Sequence, residues 1–273
     1  MAAPHFFAGR RRMNARRVDL IMNLSFDAKL AQNYKSRSQQ IRVMSEAWGS
    51  DNLYCPCCGG EKLQRFENNR RVADFFCDEC GEEYELKSKG GNIGRKIVDG
   101  AYASAIERIN CSSNPNLLVL RYCGLIVSEL VFVPKFFFVP SVIERRKALS
   151  KNARRGGWEG SNILYSKIPP DGRISIIKEG YETDKGFVLE SYRRIKPLET
   201  KDIKKRGWLL DVLSCVNGVG EEFALKDIYK FSEALKAKHA ENNNVEAKIR
   251  QQLQLLRDKG FIEFLGGGRY RRL

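Results

Sequence analysis

Histidine is almost missing from this chain of 273 residues: His5 and His239 are the only two. One lies in a basic N-terminal arm and the other in an expected helix, so histidine-based acid–base catalysis is not expected. Long apolar runs are missing as well. The stretches 117–120 (Leu-Leu-Val-Leu) and 130–133 (Leu-Val-Phe-Val) have the length of buried strands and fall far short of a bilayer span. There is no secretory hydrophobic segment, so a cytoplasmic location is expected. No internal repeat or low-complexity tract occurs. Acidic side chains are outnumbered, 33 Asp and Glu against 48 Lys and Arg, which leaves a net charge of +15. Such an excess suits a surface that neutralises phosphates, although charge alone does not separate that from an ordinary cationic protein.

What remains is a folding composition. A hydrophobic fraction of 42% with 10% aromatics supports a substantial core, and the length suggests one or two domains. Residues 1–22 read as a basic arm, disordered or produced by a misassigned start. Arg10, Arg11, Arg12, Arg16 and Arg17 stand there with no acid before Asp19, and Met13 and Met22 offer later starts.

Cysteine is present and paired. Of eight, Cys55 with Cys58 and Cys77 with Cys80 form two Cys-x-x-Cys turns, each followed by glycine. In an intracellular setting this spacing reads as a zinc site, not as disulfides. Four thiolates leave no open coordination position, so the zinc would be structural. Cys57 could replace Cys58 in that set. Cys111, Cys123 and Cys215 read as ordinary core cysteines.

The second cysteine pair sits at the tip of an expected hairpin, residues 72–87. Side chains two apart on a strand share a face, which puts Glu85 and Lys87 together, with Asp74 on the partner strand. Two carboxylates and a lysine on one sheet face suit Mg2+ and a phosphate. Charges on such a hairpin are usually a solvated face. Here Val72, Phe75, Phe76, Tyr84 and Leu86 argue for a core sheet, where carboxylates are costly unless paired or metal-bound. The chemistry so indicated is phosphodiester hydrolysis. Asp74, Glu85 and the backbone carbonyl of Leu86 would hold Mg2+, and Lys87 would orient water or face the developing charge. Glu82 and Glu83 are expected to be exposed bystanders.

Elsewhere, helical spacing is expected over 27–48, with Leu30, Tyr34, Ile41, Met44 and Trp48 buried. A glycine- and lysine-rich loop is expected at 87–92, helices at 95–109 and 141–149, and strands at 117–122, 126–133, 163–166 and 174–178. Residues 181–205 read as a linker. Helices at 207–215, 225–239 and 245–259 followed by a basic hairpin describe a winged helix. On its last helix Ile249, Leu253 and Leu256 would face the core, leaving Arg250, Gln251 and Gln254 to meet base edges. Arg269 and Arg271 on the hairpin would reach backbone or minor groove.

Several segments together resemble the DpnI-type methyl-directed restriction endonucleases, the Dam-replacing proteins. They are 54–59 (Tyr-Cys-Pro-Cys-Cys-Gly), 66–70 (Phe-Glu-Asn-Asn-Arg), 72–75 (Val-Ala-Asp-Phe) and 84–89 (Tyr-Glu-Leu-Lys-Ser-Lys). Further on stand 99–103 (Asp-Gly-Ala-Tyr-Ala), 153–158 (Ala-Arg-Arg-Gly-Gly-Trp) and 248–254 (Lys-Ile-Arg-Gln-Gln-Leu-Gln). The resemblance spans 23–273. It implies a mixed-sheet α/β PD-(D/E)xK nuclease domain with an embedded four-cysteine zinc site over 23–198, and a winged-helix domain over 199–273. It also implies cleavage of double-stranded DNA at GATC only where adenine is N6-methylated, with both domains reading the site. Asp74, Glu85 and Lys87 match the family's catalytic motif, and Cys55, Cys58, Cys77 and Cys80 its zinc ligands.

An N6-methyl group removes a free donor, so its reader must offer apolar surface. Trp158, beside Arg154 and Arg155, is the choice for that surface, with a core tryptophan as the bland alternative. Asn68 and Asn69 are counted among the DNA-facing residues. A monomer is expected. The rival from another class is a non-cutting zinc-containing DNA-binding regulator with a degenerate nuclease fold; a nuclease of different specificity is the third reading.

Overall fold

The computed structural model describes residues 22–67 and 73–273. The basic arm up to residue 21, together with Asn68, Asn69 and their neighbours through Val72, lies outside the described residues. In chain order the first part holds α1 (Arg37–Asn52), β1 (Gln64–Arg65), β2 (Phe75–Phe76), β3 (Glu83–Gly90), β4 (Ile97–Ala101) and α2 (Tyr102–Asn110). It continues with β5 (Asn116–Cys123), β6 (Ile126–Val133), β7 (Ile143–Arg145), β8 (Gly160–Ile163), β9 (Ile174–Lys178), β10 (Tyr181–Glu182) and α3 (Lys185–Ile195).

Seven of these strands make one mixed sheet in the order β1-β2-β3-β5-β6-β9-β10. β5 is buried on both faces from Asn116 to Leu120, which is why it reads as an unbroken apolar run. β3 lies parallel to it, from Tyr84 beside Asn116 to Gly90 beside Tyr122. β4 and α2 make the crossover that a parallel pair needs. β4 itself leaves the main sheet and pairs with β8 in a second, three-stranded sheet of order β4-β8-β7. On the other flank β2 is only two residues long, with Phe75 opposite Tyr84, and both of those rings are fully buried. α1 covers this corner. It comes so close that a Cβ on Gly49 would sit 2.7 Å from the Phe75 ring.

The strands at β5, β6 and β9 are where hydrophobic patterning puts them. Other expectations are corrected. The helix begins at Arg37, not at 27; Ala28–Ala31 is a single 3-10 turn, and Leu30 and Tyr34 are 43% and 38% exposed. The first half of 95–109 is β4. Residues 141–149 give a 3-10 turn and β7, because Val142 and Ile143 pack into the core next to β8. The strand at 163–166 ends at Ile163 and becomes a turn. Residues 87–90 continue β3, so the glycine-rich loop is shorter than expected. The stretch read as a linker contains α3, whose Val188, Tyr192 and Ile195 are buried. Met22 is buried too, with its N–H donated to Glu182 at 3.1 Å.

The C-terminal part comprises α4 (Ile203–Asn217), β11 (Glu222–Ala224), α5 (Leu225–Tyr229), α6 (Ser232–Lys238), α7 (Val245–Asp258), β12 (Ile262–Gly266) and β13 (Arg269–Arg272). The helix expected over 225–239 breaks into α5 and α6. β12 and β13 form the expected hairpin, and β11 joins it on the far side of β13. Trp208 is core, and its ring stacks 4.0 Å from His239. This part rests on the first through Asn217 to Asp171 (2.6 Å), Lys259 to the Pro197 carbonyl (2.5 Å) and the buried Arg206, which reaches the Ile109 carbonyl at 3.5 Å. Among the described residues no helix is long and apolar enough to cross a membrane.

Candidate functional site

Two glycine-ended turns bring four sulfurs together. In the first, the Gly59 N–H donates to the Cys55 carbonyl at 2.9 Å and the Cys55 N–H to Gly60 at 2.8 Å. In the second, Gly81 donates to Cys77 at 2.9 Å. Gly59 and Gly81 have φ of +89° and +70°, a region that side chains rarely tolerate, so each turn needs its glycine. The sulfurs of Cys55, Cys58, Cys77 and Cys80 all lie within 4.8 Å of one another. Cys55 and Cys80 are 3.5 Å apart, Cys58 and Cys77 3.6 Å. A tetrahedron of metal–sulfur bonds of about 2.3 Å spaces its sulfurs by roughly 3.8 Å. The cluster could therefore hold a metal such as zinc. Cys57 is not one of the four; its thiol lies by Cys55 and the Tyr84 and Tyr192 hydroxyls. Burial pushes the Cys58 thiol up to about 11, so a cation would have to draw the proton off. Leu189 of α3 packs on the first turn.

The cysteine turn at 77–80 closes the β2–β3 hairpin, and the acidic cluster lies at its open end. Asp74 immediately precedes β2. Its N–H donates to the Tyr84 carbonyl at 2.8 Å, and its carboxylate accepts the Leu86 N–H at 2.7 Å. Since β2 begins at Phe75, Leu86 has no ladder partner on that side, and the Asp74 side chain takes the place. Glu85 and Lys87 share one face of β3, with Nζ 2.5 Å from Oε1. Lys87 also lies 2.8 Å from Asp99, which reaches in from β4.

Burial dominates the electrostatics here. It raises the Asp74 carboxyl above its ordinary value, opposed by the Leu86 N–H and the Lys87 charge, while Glu46 pushes the same way as burial. Burial likewise raises Glu85, opposed chiefly by Lys87. Burial works against the Lys87 ammonium, but Glu85 and Asp99 outweigh it and hold it firmly protonated. Asp99 ends below the usual carboxylate range because Lys87 more than offsets its burial. Two buried carboxylates, whose hard oxygen donors are costly to leave charged without a cation, are a fitting place for a divalent ion.

Asp99, Glu46 and Arg108 were not singled out as site residues from sequence. The segment from Asp99 to Ala103 stood out only as a marker of resemblance. Read as part of a helix, it gave no reason to bring Asp99 beside Lys87. Glu46 on α1 binds Arg42 at 2.5 Å and also Arg65. Glu82 is not the exposed bystander expected: its carboxylate meets Lys135 at 3.0 Å and the buried Asn116 at 2.8 Å.

Among the described residues, the expected DNA-facing side chains Trp158, Arg154 and Arg155 and those of the C-terminal part lie on other elements than this cluster. Trp158 is half-buried under the Arg155 guanidinium, 4.5 Å from its centroid, while Arg154 and Arg155 are exposed. On α7, Ile249, Leu253 and Leu256 are fully buried, whereas Arg250, Gln251 and Gln254 are exposed, matching the expected division of faces. Arg250 contacts the Tyr229 hydroxyl at 2.5 Å. Arg269 and Arg271 both pair with Glu222, at 3.1 and 2.7 Å.

A mixed-sheet domain with a four-cysteine cluster, carrying a helical domain with a three-stranded sheet, defines the class. The chain belongs to the DpnI Dam-replacing family: the model of that family matches residues 22–201, and the model of the Dam-replacing HTH domain matches 204–272. Membership puts the chain among restriction endonucleases acting on DNA.

Proposed function

We propose that the chain is a Mg2+-dependent PD-(D/E)xK endonuclease, type II and methyl-directed. It hydrolyses double-stranded DNA at GATC sites carrying N6-methyladenine, as a monomer in the cytoplasm. The observation that carries this reading is the Lys87 ammonium lying 2.5 Å from Glu85, on the strand whose Leu86 amide is taken by Asp74. Asp74, Glu85 and the Leu86 carbonyl would hold Mg2+, which supplies charge withdrawal from the phosphate and a more acidic bound water. Lys87 orients the attacking water and faces the negative charge that grows on the phosphate oxygens. As the water oxygen bonds to phosphorus, the bond to the leaving sugar oxygen breaks; the attacking water releases one proton to solvent and the leaving oxygen takes up one from solvent.

Cys55, Cys58, Cys77 and Cys80 would hold zinc in a structural role, which would tie β2, and so Asp74, to the rest of the domain. Residues 23–198 would form the nuclease domain and 199–273 a winged helix. Trp158 would offer its indole to the methyl group, with Arg154, Arg155, Asn68 and Asn69 around the DNA. Arg250, Gln251 and Gln254 would read base edges from α7, and Arg269 and Arg271 would meet the backbone.

One assay tests the reading. Purified protein with Mg2+ is incubated with GATC-containing plasmid from adenine-methylating and non-methylating hosts. Cutting of the methylated plasmid alone is expected. Cutting of both would remove methyl dependence, and cutting of neither would support the non-cutting regulator.

A further inference from the structure

We infer that Asp99 is a positioning residue for Lys87, holding its ammonium where the proposed reaction needs it; this rests on the nuclease reading above. Asp99 belongs to the second sheet, not to the hairpin that carries Asp74, Glu85 and Lys87. Its side chain is 4% exposed and reaches across to place Oδ1 2.8 Å from the Lys87 Nζ. Among the described residues, Glu85 and Asp99 are the two carboxylates shown in ion-pair range of Lys87.

Strand pairing and a buried serine support Asp99. In the β4–β8 ladder Asp99 stands opposite Ser161, and the register shifts between Asp99 and Ala101. An irregularity of this kind re-aims the side chain beside it. Ser161 is fully buried, donates to the Gly100 carbonyl at 3.0 Å and lies 3.4 Å from Asp99 Oδ2. Arg108 of α2 adds a second positive charge that acts on both Asp99 and Glu85.

Fixing a lysine side chain costs rotamer freedom. Glu85 alone is a poor clasp, because the proposed metal would share its oxygens. Asp99 has no such second duty. A buried ion pair is a weak source of stability, and an apolar side chain of similar size would fill the position at lower cost. The geometry therefore points to aim, not stability, as what Asp99 supplies.

The test uses the full chain carrying Asp99→Asn, which keeps the shape and removes the charge. The first readout needs neither metal nor DNA: the rate at which an acylating reagent modifies the Lys87 amine, followed by mass spectrometry. It should rise about tenfold over the unchanged protein. The second is single-turnover cleavage of saturating methylated DNA, expected to fall roughly 10- to 100-fold, as for other supporting partners of a site. Binding of that DNA should stay the same. The third is Lys87→Ala with and without Asp99→Asn, where the double variant should be no slower than Lys87→Ala alone. Asp99→Glu, which keeps the charge, should return labelling and cleavage towards their starting values, and Asp99→Ser, which also removes the charge, stands in should Asp99→Asn misfold. Unchanged Lys87 labelling in Asp99→Asn would overturn the inference. So would a further loss of cleavage on the Lys87→Ala background, which would mean that Asp99 acts by itself. If the unchanged protein cuts no DNA, the nuclease reading falls while labelling still decides whether Asp99 clasps Lys87.

Discussion

Replacing Cys58 or Cys57 by serine separates two neighbouring thiols that the sequence leaves interchangeable. Cys58 Sγ lies 3.6 Å from Cys77 Sγ inside the cluster, whereas Cys57 sits by Tyr84 and Tyr192. A structural four-ligand zinc site is worth roughly 10–16 kcal/mol in apparent binding free energy. Losing one of four ligands removes on the order of 3 kcal/mol, or about a hundredfold in metal affinity. The fold has little to hold the hairpin otherwise, since β1 and β2 are two residues each. Asp74 lies three residues before Cys77, so loss of the cluster should displace Asp74 while leaving Glu85 and Lys87 on the well-paired β3. Zinc per chain, measured by atomic emission after dialysis against graded chelator, reads the affinity; cleavage of methylated DNA reads the consequence. Cys58→Ser should release zinc at about a hundredfold lower chelator activity and lose most cleavage. Cys57→Ser should keep both. Zinc lost from Cys57→Ser and retained in Cys58→Ser would refute the reasoning.

Three further outcomes follow from packing, charge and the helical domain. Gly49→Ala puts a methyl 2.7 Å from the Phe75 ring and should cost about 1–3 kcal/mol by overpacking, seen as a lower Tm; an unchanged Tm would show that α1 does not press on β2 as described. Asp211 is held below the usual carboxylate range: burial would raise it, but hydrogen bonds from His239 and Lys238 outweigh that. Its stabilising effect is therefore present above the unfolded carboxyl value near 3.9 and fades as pH falls through the lower folded one. Asp211→Asn should cost about 2 kcal/mol at pH 7 and much less near pH 3 in urea titrations, and an equal loss at both would contradict it. Arg250→Ala should weaken binding to the methylated site by about 1–3 kcal/mol while sparing unrelated DNA, whereas Arg269→Ala should weaken both and lower the salt slope by about one. The reverse pattern would exchange their roles.

Much of the hairpin was legible because its constraints are local. Cysteine spacing, glycine after each pair and the two-residue period of a strand all act within a few residues, so Asp74, Glu85 and Lys87 came together on paper as they do in space. The strands β5 and β6 were equally plain, since strands buried on both faces leave an unmistakable apolar run. What stayed hidden depends on distant partners. The stretch 95–101 has residues acceptable to a helix, and pairing with β8 decides otherwise. Val142 and Ile143 join the core through the same sheet, against a helical-looking continuation of Glu144, Arg145 and Arg146. Within 181–205 charges disguised α3, whose buried stripe is only Val188, Tyr192 and Ile195. Asp99 was invisible for a related reason: its partner is twelve residues away on another sheet.

The most direct trial of the central claim compares Lys87→Ala with the unchanged protein on one methylated GATC duplex, measuring binding with Ca2+ and cutting with Mg2+. Cutting should fall to a slow residual rate, measurable only in single turnover, while the binding constant and the preference for methylated over unmethylated DNA persist. Cutting by Lys87→Ala at the rate of the unchanged protein would contradict the account, because the chemistry would then reside somewhere other than on β3.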